Sequence, residues 1–516
     1  IAMTTLRIPI AIASGLLVLS LGGCRVGPAY HRPPALAQAP PAAYKESPAN
    51  FPDATAWKIA QPKDAMLRGK WWEIYNDPEL NSLEEKLGSD NQALKQAFEN
   101  FMESRTIIAQ AHSQLFPSVT FGPGYTHNET SANNTSGAAA AAGVSSSATI
   151  PTNRQTSQIT LPFDASWEPD LWGRVRNQIR GAQYNAQVSA ADLENLRLTE
   201  QANLAIDYFA IRGQDALQAI LNQTVADDQK ALEYNQAQFE TGVAPEINVV
   251  EAQNTLQNAQ AQATNLGIAR AQFEHAIAVL IGANASAFSI PARPLDATPP
   301  SIPIGVPSQL LERRPDIAAS ERVMAAANAQ IGVATAAFYP NVTISASAGL
   351  ESSSWKHLFD WSSRFWSVGP QVSQTIFDAG LRRATVDQYI ETYNADVAAY
   401  RQTVLVAFQQ VEDYLASGRI LSQQIQQHQA AAESARRFVE METSRYQTGI
   451  DPYINVVTAQ NTLLNDQQAL ATDHTQQMTA SVQLIMALGG GWDTTQLPTP
   501  AQVSQRLTSA DTAIQK

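Results

Sequence analysis

The chain has 516 residues, and 34 Lys and Arg stand against 47 Asp and Glu for a formal net charge of −13 at pH 7. With 44% hydrophobic and only 16% charged residues, wholesale disorder is excluded, and the acidic balance argues against a nucleic-acid partner, whose phosphates need clustered Lys and Arg. A mean hydropathy of −0.21 argues against a bundle of membrane-spanning helices, and a single Cys excludes a disulfide framework and a Cys-based metal site.

Residues 1–23 read as an export signal. Ile1 and Ala2 precede Met3 and are left out of the fold. Arg7 supplies a positive charge, and positions 8–21 form an apolar run shorter than the roughly 20 residues of a membrane-spanning helix. The run ends in Leu21-Gly22-Gly23-Cys24, as a bacterial lipoprotein signal does: small residues let a signal peptidase reach the backbone, and the thiol takes a lipid. Cys24 is therefore the expected lipidation site, with an ordinary secretory signal beside a chance Cys as the alternative. Arg25 follows it, not the Asp associated with inner-membrane retention, so the outer membrane is expected. Positions 24–70 are rich in Pro and Ala and read as an extended tether.

A helical pattern over 78–115 stops before Pro117. The period then drops to two: Val119, Phe121, Pro123 and Tyr125 alternate with Ser118, Thr120, Gly122 and Gly124, a strand at about 117–127. Positions 131–149 are a low-complexity loop. A second strand follows at about 157–168, where Pro162 is out of place for a central strand. From 174 to 238 nothing but Gly181 and Gly213 interrupts a helical pattern with four-three apolar spacing, which implies coiled-coil packing over roughly 100 Å. Thr241-Gly242-Val243-Ala244-Pro245 is a turn, and a returning helix reaches about position 281.

The chain then repeats itself. The run from Phe239 to Leu256 lies over that from Tyr446 to Leu463 at an offset of 207 residues, and Gly173 lies over Gly380 at the same offset. The second copy has strands at about 340–351 and 364–376. The expected organisation is a first repeat over 71–290, a linker over 291–312, a second repeat over 313–492 and a loose tail over 493–516. Each repeat is helix, amphipathic hairpin, very long helix, tight turn and returning helix.

Four strands with one apolar face and one Ser/Thr/Gln/Gly face, each near the 9–11 or so residues of a membrane-spanning strand, point to a barrel wall. Trp355, Phe359, Trp361, Phe365 and Trp366 cluster where an aromatic girdle would sit. Two exposed hairpins on a periplasmic protein are the alternative. Open strand edges in lipid cost several kcal/mol per unpaired group, and four strands cannot close a barrel, so the chain must oligomerise.

With these features the sequence resembles the TolC/OprM family of outer-membrane efflux proteins, in its lipoprotein branch. The resemblance rests on Cys24-Arg25-Val26-Gly27-Pro28-Ala29-Tyr30, Trp71-Trp72, Asp77-Pro78-Glu79-Leu80 and the stretch from Trp167 to Val175, with Arg313-Arg314-Pro315-Asp316-Ile317 and the stretch from Ala487 to Trp492. It covers about residues 20–495. It implies an α+β membrane protein: a homotrimer with a 12-stranded outer-membrane barrel, four strands per chain, continued by a long periplasmic α-helical barrel. It also implies a passive exit duct, held in outer-membrane lipid and docked to a periplasmic adaptor and an inner-membrane pump of the RND type. A coiled-coil adaptor and a duct for type I protein secretion are the alternatives.

The turns Thr241-Gly242-Val243 and Thr448-Gly449-Ile450 lie at the far ends of the long helices and are the expected adaptor contacts; plain helix capping by Gly is the other reading. Many members of this branch narrow the tunnel with an apolar and an acidic residue one turn apart after the second turn, but here those positions read Ile454 and Thr458. The gate candidates are therefore Ile454, Thr458, Asp451, Glu246 and Glu251. Ile454 forms a hydrophobic constriction in one reading and packs between helices in the other; the acids favour cations. Asp227-Asp228 reads as a solvated helix face. The seven His are scattered and no HExxH, GxSxG or Walker motif occurs, so no enzyme activity, metal site or cofactor is expected.

Overall fold

The computed structural model describes residues 25–36, 44–46, 58–59, 69–129, 155–304 and 310–505. The expected signal, Cys24 and the loop at 131–149 lie outside these residues.

The expected helix over 78–115 is two helices, α1 (Pro78–Asp90) and α2 (Gln92–Ser113). Asn91 breaks it: its backbone is extended, its side chain accepts from Leu94 N at 2.9 Å, and its amide donates to Leu280 O at 2.8 Å. The first strand also splits, into β1 (Ser118–Phe121) and β2 (Gly124–Glu129), both paired antiparallel with β3 (Gln155–Trp167). Pro123 and Pro162 meet at this break, and neither has an N–H to give the ladder. The long helix α3 (Arg174–Glu240) and its return α4 (Glu246–Leu280) complete the first repeat.

The second repeat runs α5 (Pro315–Ala336), β4 (Asn341–Ser352), β5 (Arg364–Ser373), α6 (Leu381–Gln447) and α7 (Tyr453–Ala487). α3 and α6 both have 67 residues, and α4 and α7 both have 35, so the sequence repeat is a repeat of lengths. Gly173 (φ 79°) and Gly380 (φ 90°) start the long helices in the left-handed region, which only glycine enters freely.

Among the motifs that carried the resemblance, the stretch from Trp167 to Val175 turns the chain from β3 into α3. Trp167 Nε1 donates to Leu115 O at 2.9 Å, Trp172 Nε1 to Pro340 O at 2.8 Å, Arg174 pairs with Glu168 at 3.0 Å and Arg176 with Asp170 at 3.0 Å. Arg314 pairs with Asp316 at 2.6 Å and donates to Ala487 O at 3.1 Å. The largest core lies partway along the long helices, where Trp71, Trp72 and Tyr75 pack with Tyr208 and Phe209 of α3 and Met478 and Val482 of α7. Beside it, buried Arg212 is held by Glu79 at 2.5 Å, Asp215 at 3.3 Å and Pro291 O at 2.7 Å.

The described residues toward both ends of the chain are more closely packed than expected. In the segment read as a free tether, Val26 N donates to Trp172 O at 3.1 Å, Tyr30 donates to Glu321 Oε1 at 2.5 Å, and Arg32 donates to Tyr400 Oη at 3.0 Å. Glu412 accepts the backbone N–H groups of Lys45 at 2.7 Å and Glu46 at 3.1 Å. The tail is not loose over 493–505: Thr499 and Gln502 form a capping box, and Val503 is buried against Ile108 and Ala186.

Candidate functional site

The sheet and the helix tips both carry large apolar side chains that the described residues leave exposed. In the sheet the order is β1–β3–β4–β5, with β2 continuing β1 along β3, and all pairs are antiparallel. β1/β2 and β5 therefore leave two open edges. Val119, Phe121, Tyr125 and Phe163, with Trp366, Val368 and Val372, are all more than half exposed, from 53% for Phe121 to 77% for Trp366. Trp355, Phe359 and Trp361 stand out from the loop between β4 and β5. No helix among the described residues is long and apolar enough to cross a membrane.

At the first tip, Gly242 (φ 74°) lets Val243 N reach back to Gln238 O at 2.9 Å. At the second, Gly449 (φ 75°) lets Ile450 N reach Arg445 O at 2.9 Å. The hydroxyls of Thr241 and Thr448 close the last turns by donating to Ala237 O at 2.9 Å and Ser444 O at 3.0 Å. These bonds point Val243 and Ile450 outward, 73% and 65% exposed, beside exposed Ile247 and Val250. Both tips thus offer aliphatic side chains on a glycine turn.

Among the gate candidates, Ile454 is 48% exposed and Thr458, one turn on, bonds back to Ile454 O at 2.8 Å, so the two share an open face. Asp451 is paired with Arg445, whose hydrogen bond holds its carboxyl below the usual carboxylate range. Glu246 is exposed in the first turn of α4, and Glu251 is half-buried farther along it.

Sequence reasoning missed Tyr446. Its hydroxyl donates to Asn235 Oδ1 at 2.6 Å, shared with Gln238 Oε1 at 2.9 Å, and accepts from Asn248 Nδ2 at 3.2 Å. It therefore latches α6 to both α3 and α4. A signal was present, because the repeat places Tyr446 over Phe239: one copy gains a hydroxyl at an otherwise apolar position. Asp228 corrects a second reading. Asp227 is exposed, but Asp228 is 3% exposed and faces the helix contacts rather than water. Among the described residues no three His, Cys, Asp or Glu stand close enough to hold a metal ion.

With this geometry in place, the comparisons with known proteins give a family. The outer membrane efflux protein family matches over residues 85–283 and 306–490. The toluene efflux pump outer membrane protein TtgF of Pseudomonas putida is 30% identical over 487 residues, 92% of this chain and 96% of that protein. The outer membrane protein OprJ of Pseudomonas aeruginosa is 30% identical over 489 residues, 93% and 96% of the two chains. Among solved structures, the outer-membrane channel OprN superposes with a TM-score of 0.79 at 27% identity, covering 91% of this chain and all of that one. The chain belongs to the outer membrane efflux protein family. It has the fold of the TolC/OprM-type channels and is an outer-membrane channel component of efflux, with its helical part extending into the periplasm.

Proposed function

We propose that the chain assembles as a homotrimer whose three four-stranded sheets close one twelve-stranded barrel, and that the trimer is the passive exit duct of a tripartite pump. The observation that supports this most directly is the sheet with two open edges and an outward apolar face. Such a sheet is stable in lipid only when identical neighbours pair its edges. The long helices of three copies then make a tunnel wall roughly 100 Å long. Val243 and Ile450, exposed on the glycine turns, are the contacts for a periplasmic adaptor, which links the duct to an inner-membrane pump of the RND type. Ile454 supplies the resting constriction, with Thr458 one turn farther from the tip and the acids Asp451, Glu246 and Glu251 at the mouth. Cys24 carries the lipid. Relatives named for toluene and antibiotic efflux make small organic compounds the expected cargo, rather than proteins.

The test is purified protein in a planar bilayer, with its mass measured in detergent. A trimer giving discrete, cation-preferring conductance steps is expected. A monomer that leaves the bilayer silent would sink the proposal.

A further inference from the structure

We infer that a cavity between α3, α4 and α7 is a binding site for a single alkali-metal cation, K+ or Na+, which ties the three helices together. The cavity has a volume of about 150 Å3. Asp228 of α3, Asn254, Thr255 and Asn258 of α4, and Gln460 and Asn461 of α7 line it. Asp228 Oδ2 and Gln460 Oε1 are both buried there without a hydrogen-bond partner. A carboxylate oxygen withdrawn from water with nothing opposite it is costly, and buried charges are normally paired or bound to a metal. No Lys, Arg or His is among the residues lining the cavity, so the lining supplies no positive charge.

The donor chemistry selects the ligand. Thr255 spends its hydroxyl hydrogen on Glu251 O at 2.9 Å, which leaves its oxygen lone pairs available. Asn258 Nδ2 turns toward Asn254 Oδ1 at 3.4 Å. One carboxylate with amide and hydroxyl oxygens, and neither sulfur nor imidazole, is a hard-cation set. A single negative charge balances a monovalent ion; Ca2+ sites gather several carboxylates.

A proton is the competitor for Asp228. Asp227 on its own helix and Tyr453 on α7 act on Asp228, Glu251 of α4 and Tyr446 of α6 act in turn on Tyr453, and the Lys on the same helix, Lys230, is exposed and paired with Asp227. Burial, reinforced by Asp227, raises the Asp228 carboxyl from 3.8 to about 6. Burial, with Asp228 the next contributor, raises the Tyr453 hydroxyl to about 12. A carboxyl raised in the folded state penalises folding once it ionises. Without a cation, this group's contribution therefore falls as pH rises from 3.8 to about 6 and stays low above that. A bound cation removes the penalty, so its stabilising effect is largest above about pH 6 and vanishes below 3.8. The site stands apart from the question of which residues close the duct.

Two measurements on the full-length protein in detergent test it. Thermal unfolding at pH 7.5 and equal ionic strength compares KCl, NaCl, CaCl2 and choline chloride. A melting temperature about 2–4 °C higher in K+ or Na+ than in choline is expected. Asp228→Asn, which keeps the side-chain shape, removes that difference. Crystals of the unaltered protein soaked in RbCl should show an anomalous peak beside Asp228 Oδ2. Equal melting temperatures in all four salts with no peak would overturn the inference in favour of a protonated carboxyl and water. A stabilising effect confined to CaCl2 would overturn the alkali assignment. If Asp228→Asn fails to fold, the anomalous map of the unaltered protein still decides.

Discussion

Tyr446 shows how one hydroxyl governs the tip. Tyr446→Phe leaves Asn235, which is completely buried, with one polar atom short of a partner, at a cost of about 1–3 kcal/mol. The loss falls on the contact that holds α6 to α3 and α4 next to the second turn. Bilayer recordings of Tyr446→Phe should therefore show a higher resting conductance and more frequent open-closed transitions than the parent protein. If Ile454 is the constriction proposed above, Ile454→Ala should raise the resting conductance without the added flicker, since the Tyr446 latch is left intact. Asp451→Asn should chiefly lower the cation preference, read as a shifted reversal potential in a KCl gradient, since it frees Arg445 as well as removing a carboxylate. Unchanged conductance in both Tyr446→Phe and Ile454→Ala would place the resting closure elsewhere along the tunnel.

At the level of elements, the sheet is legible in the sequence because its period of two is local. Its breaks were harder to read. Pro162 sits in central β3, and the structure tolerates it by placing Gly349 opposite it on β4 and the Gly122-Pro123 interruption on the other side. A Cβ at Gly349 would come within 2.2 Å of Leu161 O, so the pairing also requires that glycine. Alternation along β5 makes a test of orientation. Val368 is 64% exposed on the apolar face, and Ser367 points to the opposite face. Val368→Arg places a charge against lipid at a cost of about 2–4 kcal/mol near the bilayer midplane, and should reduce the amount of heat-resistant oligomer recovered from outer membranes. Ser367→Arg should assemble normally and lower cation conductance. Equal assembly of the two variants would show that this face does not meet lipid.

For the whole molecule, the described parts of the segment after Cys24 matter because residues 26–32 and 45–46 are bonded to the body. Val26, Tyr30, Arg32 and the backbone at 45–46 attach to Trp172, Glu321, Tyr400 and Glu412 respectively. These contacts join both repeats without help from a lipid. Cys24→Ser behind a cleavable secretory signal should therefore still give oligomers of parental size on native gels, with lipid labelling lost. Failure to assemble would make the acyl chain part of the architecture.

The repeat, the two very long helices, the glycine turns and the amphipathic strands follow from the sequence alone, because each is a local period or a local backbone requirement. The burial of Asp228, the latch on Tyr446, the strapped N-terminal segment and the packed tail do not. Each depends on which helix face meets a segment far away in the chain: Tyr446 and Asn235 are 211 residues apart, and Tyr30 and Glu321 are 291 apart. A four-three pattern places a stripe on a helix but does not choose its neighbour. Only the tertiary packing of the two repeats turned one of two adjacent aspartates inward and left the other in water.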